Sequence, residues 1–264
     1  MSEVLTYGLI IGISVGFSAG YLGSLMVLEK MALVGDALSH VALPGLALGI
    51  LFNFNPFLGA FAFLFSSAVI IWHLGRVTKL SFETLVAAMF TLALAIGILM
   101  IPEQADLLEA LFGDITNVGL VDTTVAVIVS AVAIFLTRII YRKLVLGMIS
   151  EELATSTGIN VARTNLLYLL LVSLVVAVGI KIVGTLLVGF LVVVPAAAAR
   201  NLSPNLSKYC TLSSVFGAIS SSSGILLSSY TNSPAGPGPL VVLSGIAIFI
   251  ATVIVKWTSK FHAF

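Results

Sequence analysis

The sequence predicts an all-α membrane protein, a polytopic transmembrane helical bundle with eight or nine spanning segments. Hydrophobic residues make up 59% of the 264-residue chain and charged residues only 9%, whereas soluble domains carry about a quarter charged residues. Mean hydropathy is +1.20. Apolar runs of spanning length recur from residue 4 to residue 255 and leave no polar stretch long enough for a separate soluble domain. Residues 1–264 are therefore expected to form a single membrane domain. The formal net charge of +1 gives no sign of nucleic-acid binding. Cys210, the lone cysteine, can form no internal disulfide and reads as a small packing residue within an apolar run.

The first span, about 4 to 28, follows Glu3 rather than a basic region and is longer than a signal-peptide core, so it is expected to remain as a helix. Gly8, Gly12, Gly16 and Gly20 recur on it every four residues, a face of small residues that lets another helix approach closely. The second span, about 36 to 53, contains Pro44, which removes the bond its nitrogen would give to the His40 carbonyl and loosens that turn. After the turn Asn53-Phe54-Asn55-Pro56, a third span runs from about 56 to 75. Trp72 there reads as an interfacial anchor, and His73, beside Arg76, as an interfacial histidine rather than a ligand. Ser81 can cap the fourth span, about 82 to 101, with Glu83 complementing the helix dipole in its first turn.

From Pro102 to Asp122 the chain carries Glu103, Asp106, Glu109, Asp114 and Asp122 without a Lys or Arg. Leu107, Leu108, Leu111 and Phe112 recur at helical spacing, which suggests a short amphipathic helix on the surface. This is either an acidic rim that attracts cations or docks a partner, or an outside loop free of positive charge. A fifth span, about 120 to 141, ends in Arg138, Arg142 and Lys143. Beyond it Ser150 can cap a short helix that starts with Glu151 and Glu152, and Gly158 with Asn160 can stop it. A sixth span, about 164 to 181, is followed closely by a seventh, about 184 to 199, which ends in Val194-Pro195-Ala196-Ala197-Ala198-Ala199-Arg200, a sequence that allows a kinked, closely packed helix end. From Tyr209 to Val255 no residue is charged, and Asn232-Ser233-Pro234-Ala235-Gly236-Pro237-Gly238-Pro239 divides this stretch as a turn. The serines at 220 to 223 can bond to helical carbonyls or to neighbouring helices.

Placing the Lys and Arg clusters in the cytoplasm makes nine spans alternate consistently, with the acidic loop and the N-terminus outside and the C-terminus inside. Lys181 is the exception. If two apolar runs form one bent helix, or the first is re-entrant, the count falls to eight.

Asp36 and His40 are the only ionisable residues between Lys30 and His73. Burying a charge at membrane depth costs about 2.5–3.5 kcal/mol on insertion scales, so the pair asks for a reason. Four residues apart on a helix, the carboxylate and imidazole share a face, and together they suit borderline divalent metals such as zinc, manganese and iron. Two ligands are too few for a closed site, but a symmetric second copy facing a central path would supply four. The sequence has no HExxH pattern, no Gly-x-Ser-x-Gly elbow and no phosphate loop ending in Gly-Lys-Ser/Thr, so catalytic residues and ATP hydrolysis by that chemistry are not expected. Two transport models remain. Asp36 and His40 could be the proton relay of a proton-coupled secondary transporter, or they could touch a metal in transit while the helix at 150 to 158 receives force from a separate motor.

The stretch Gly35-Asp36-Ala37-Leu38-Ser39-His40-Val41-Ala42-Leu43-Pro44-Gly45 resembles the GDALSHAVLPG motif of the ABC-3 family, the membrane permeases of ABC importers for zinc, manganese and iron(II). Also similar are Glu152-Leu153-Ala154 with Gly158-Ile159-Asn160-Val161, the Val194 to Arg200 stretch, and Ser233-Pro234-Ala235-Gly236-Pro237. Glu83-Thr84-Leu85-Val86-Ala87 departs from the Asp-x-x-Ile-Gly that relatives often have, and Lys30 stands where an Arg is common. The resemblance implies a multi-pass protein of the plasma or inner membrane, a homodimer or close pair of permeases, bound to cytoplasmic ABC ATPases and fed by an extracytoplasmic metal-binding protein. It implies no cofactor held by this chain, with ATP bound by the partner subunit and a divalent metal ion as cargo. By position, Asp36 and His40 would face the metal path, and Ser150, Glu151, Glu152, Ala154, Gly158, Ile159 and Asn160 would dock on the ATPase.

Overall fold

A computed structural model describes residues 2–78, 80–101, 111–113, 118–231 and 236–261. Eleven helices are labelled in chain order: α1 (Ser2–Leu28), α2 (Ala32–Val41), α3 (Leu43–Leu51), α4 (Pro56–Thr78), α5 (Phe82–Met100), α6 (Leu120–Ile149), α7 (Glu151–Ser156), α8 (Val161–Val183), α9 (Thr185–Leu202), α10 (Leu206–Thr231) and α11 (Gly238–Phe261). Among the described residues, eight segments are long and apolar enough to cross a membrane, with α2 and α3 together making one of them, Ala32–Leu51. The apolar run of α9 is shorter, Val188–Leu202, so the nine runs read from the sequence appear as eight full-length segments and one shorter one.

Several boundaries differ from the sequence reading. The second span starts at Ala32 rather than 36, because the four residues before Asp36 continue the same helical turn. The fifth runs to Ile149 rather than 141. Arg138, Arg142 and Lys143 ride on its last turns and do not end it, since long basic side chains suit a helix and can reach the interface. The seventh extends to Leu202 and passes through Pro195 without ending. Most of the surface amphipathic helix expected around Leu107 lies outside the described residues. Of that stretch, Leu111 and Phe112 pack half-buried against the core.

Close approach organises the bundle. In an apolar solvent helices gain little from burying leucine, so small residues that bring backbones into contact carry much of the association. A side chain at Gly16 would collide with the Gly217 carbonyl of α10, one at Gly217 would collide with the Gly16 carbonyl, and one at Gly20 with the Ser213 carbonyl. The glycine face of α1 is thus met by α10. Ser213 Oγ donates across this contact to the Gly20 carbonyl at 2.5 Å, whereas Ser220 and Ser221 bond back within α10 to Phe216 and Gly217. Gly23 receives the Val192 carbonyl of α9 in the same manner. A second group forms around α3, where Gly45 and Gly59 each sit against the other's carbonyl, Gly49 lies on Pro56, and Gly97 of α5 meets Leu43. Ala42 lies between α2 and α3. It joins α2, which packs on α9 and α5, to α3, which packs on α4 and α5.

Polar cross-ties complete the core. Tyr168 on α8 is fully buried and donates its hydroxyl to the Leu22 carbonyl at 2.5 Å, and Ser18 on α1 reaches Ser130 on α6 at 3.2 Å. Cys210 is free and buried, as a packing residue would be. Replacing Gly16 with Leu forces the α1–α10 backbones apart, and overpacking of this kind costs about 1–3 kcal/mol. The expected outcome is a lower melting midpoint for G16L than for wild type in detergent, while substitution of the exposed Ser229 leaves the midpoint unchanged.

Candidate functional site

Asp36 and His40 project from α2, both half-buried. Their i, i+4 spacing holds them on one side of the helix, and the Asp36 carboxylate lies within electrostatic reach of the imidazole. Ser39 between them turns its hydroxyl inward to the Asp36 carbonyl at 2.6 Å, which keeps it away from the two side chains. Ala42 follows with its backbone still in the right-handed helical region, φ −71° and ψ −23°, and Pro44 stands in the first turn of α3. Proline cannot supply the amide that an unbroken helix would offer to the His40 carbonyl, which is the reading its position predicts.

Two neighbours that the motif does not name set the pair's position. A Cβ at Gly189 on α9 would lie 2.5 Å from both the Cα and Oδ1 of Asp36, so the carboxylate rests directly on the bare glycine backbone. Gly35 faces Val192 on the same helix, where a Cβ would come within 2.9 Å of the valine side chain. Across the site, the Phe90 ring of α5 meets the His40 ring edge-on, with centroids 5.3 Å apart and planes at 60°. His40 Nδ1 is buried and has no hydrogen-bond partner among the described residues. Leaving a buried polar atom unsatisfied costs about 1–3 kcal/mol, a cost that His40 shares with the hydroxyls of Tyr21, Thr137, Ser173, Thr185 and Tyr209 among the described residues. The sequence carried one signal for Gly189: a glycine inside an apolar helical run, where alanine would be more stable by about 0.5–1 kcal/mol, implies close approach. Nothing in the sequence pointed to Phe90. Among the described residues no group of three or more His, Cys, Asp or Glu side chains is gathered in one place, so one chain offers an incomplete donor set. His73 is exposed at the far end of α4 and does not join the pair.

The segment at 150 to 160 has the capped geometry its sequence calls for. Ser150 Oγ accepts the Leu153 amide at 3.2 Å, and Glu151 and Glu152 stand in the first turn of α7. Gly158 takes φ +82°, while the Ile159 amide reaches back to the Ala154 carbonyl at 3.0 Å, closing the helix in the manner of a Schellman turn. Asn160 Oδ1 then accepts the Arg163 amide at 3.0 Å and starts α8. Ala154 is fully buried and pins the short helix, while Glu151, Glu152 and Leu153 are exposed.

Lys181, the one cation that breaks the charge rule, is neutralised. Its Nζ lies 2.6 Å from Asp122 Oδ1 at the start of α6, and 5.2 Å from the centroid of the Phe57 ring. Asp122 also accepts the Gly119 amide, so this member of the acidic stretch serves as a helix cap and an ion-pair partner.

The ABC 3 transport family model matches residues 1–256. The chain belongs to the ABC 3 transport family. It is 32% identical over 250 residues to the manganese transport system membrane protein MntC of Listeria monocytogenes, covering 94% of this chain and 89% of that one. It is 29% identical to the high-affinity zinc uptake system membrane protein ZnuB of Buchnera aphidicola, covering 97% and 99%. Among solved structures, PsaBC from Streptococcus pneumoniae in complex with Fab superposes with a TM-score of 0.82 at 32% identity, covering 94% of this chain and 90% of that one. An inward-facing metal-chelate type ABC transporter, 16% identical with a TM-score of 0.76 over 94% and 84%, shares the fold. This family member is thus a multi-pass membrane protein.

Between α1 and α2 the chain turns through Glu29 and Lys30, the latter at φ +62°. Burial pushes the Glu29 carboxyl up from 4.5 to about 7. Between those values the folded state holds the proton more tightly than the unfolded chain, so stability falls as pH rises through this window. Melting midpoints in detergent are expected to decline from pH 4.5 to pH 7, with E29Q showing a shallower decline.

Proposed function

We propose that this chain is the permease subunit of an ATP-driven importer for a divalent transition metal ion, with manganese, zinc and iron(II) as the candidate cargoes. The observation that carries the reading is the Asp36–His40 pair with its orphaned Nδ1, in a member of a family whose relatives are named for manganese and zinc transport. A carboxylate and an imidazole suit these ions, whereas neutral imidazole disfavours magnesium and calcium. Selection among the three belongs mainly to the protein that delivers the ion.

The whole chain, 1–264, acts as one permease domain in this reading, with its C-terminus in the cytoplasm. Two copies pair about a central path so that two carboxylates and two imidazoles face the ion. A site completed only between copies can open as they rock, and it holds its cargo weakly enough to release it. ATP is bound and hydrolysed by a cytoplasmic ABC ATPase, which docks on Ser150 to Asn160 through the exposed Glu151, Glu152 and Leu153, with Ala154 and Gly158 shaping the segment and Ile159 and Asn160 joining it to α8. An extracytoplasmic metal-binding protein supplies the ion on the other side, and lipid covers the exposed apolar helix faces. The chain itself carries out no hydrolysis.

Substitution of the ligands tests this directly. D36A and H40A are each expected to lower ATP-dependent metal uptake at least about tenfold, since losing even an outer-shell partner of a metal ligand costs about 10–100-fold. Both variants are expected to reach the membrane and to copurify with the ATPase at wild-type levels. Wild-type uptake by D36A would remove the metal assignment.

A further inference from the structure

We propose that Trp72 is a positioning residue that transmits movement of the 150 to 160 segment to the helices carrying Asp36 and His40. This rests on the reading that the segment docks on the ATPase. Trp72 belongs to α4, yet its Nε1 donates to the Ala162 carbonyl of α8 at 2.8 Å. Ala162 lies two residues beyond Asn160, the cap that ends the docking segment. A tryptophan serving only as an interfacial anchor would leave its N–H to water and headgroups. Here the donor is committed to one backbone atom, and Arg76, one turn further along α4, lies 5.1 Å from the centroid of the indole ring.

The opposite ends of the same two helices are also tied. Phe57 begins α4, and its ring faces the Lys181 ammonium near the end of α8. Lys181 is held in turn by Asp122. Helices α4 and α8 therefore run antiparallel with a fixed contact at each end, an arrangement suited to moving as one body. From α4 the connection continues through bare backbone, since Gly59 sits on Gly45 and Pro56 on Gly49, which locks α3 to α4. Meanwhile α2 is clamped to α9 at Gly35 and Gly189. A displacement of α4 is therefore passed to α3, which follows the helix of Asp36 and His40 after the single residue Ala42. A push at α7 that reaches α8 would arrive at the ion pathway through α4, and Trp72 is the tie nearest the push. Discrete packed elements of this kind are the physical means by which distant sites become coupled.

The test uses the complete transporter, permease with ATPase and binding protein, reconstituted in liposomes with manganese or zinc as the probe. W72F keeps the ring and the stack with Arg76 but deletes the donor. The expected result is an ATP hydrolysis rate within about twofold of wild type, together with at least about a fivefold fall in ions moved per ATP. An unchanged ratio of ions to ATP, including a parallel loss of both activities, overturns the proposal. Independently of that variant, spin labels at T78C and T155C, at the cytoplasmic end of α4 and on α7, are expected to report one distance in the nucleotide-free and ATP-bound complexes. A second distance that appears with ATP overturns it. Lack of ATP-dependent uptake by the wild-type complex would instead contradict the proposed function itself.

Discussion

The close approach of helix backbones is the constraint on which the rest of this structure depends. Lipid solvates leucine as well as a protein core does, so the bundle cannot rely on the hydrophobic effect to assemble its helices. It uses contacts between bare glycines and carbonyls, such as Gly16 with Gly217, Gly45 with Gly59 and Gly23 with Val192. Each contact fixes a pair of helices at a distance that leucine would not allow. The same device also places the chemistry, because the Asp36 carboxylate is where it is by resting on Gly189.

Two packing groups result, one around α1, α9 and α10 and the other around α3, α4 and α5. They are joined in the chain at Ala42. The ionisable pair stands on the α9 side of that joint, while Phe90, which faces His40, stands on the α5 side. Among the described residues one chain gathers no group of three or more His, Cys, Asp or Glu donors, whereas a structural site closes its coordination shell with four protein ligands.

Much of this was legible in the sequence where local physics decides the outcome. The caps at Ser81 and Ser150 and the stop at Gly158 depend on neighbours within four residues, whereas Asn160, read as part of that stop, caps α8. The spacing of Gly12, Gly16 and Gly20 announced a packing face, although not that α10 would meet it. Contacts between elements distant in sequence were not legible. Gly189 is about 150 residues from Asp36, and only the folded chain shows that one accommodates the other. Lys181 looked like an anomaly of charge until Asp122 was found beside it. Basic residues do not mark helix ends here: α6 runs through Arg138, Arg142 and Lys143 to Ile149, because Arg and Lys favour helices and extend their charge towards water.

Metal import driven by a separate ATPase is tested by the metal content, by mass spectrometry, of cells that produce the chain with its ATPase and binding protein, compared with cells whose ATPase cannot hydrolyse ATP. The expected result is accumulation of manganese, zinc or iron that disappears with the inactive motor. Accumulation that persists without the motor and follows the proton gradient would contradict the account and make Asp36 and His40 a proton relay.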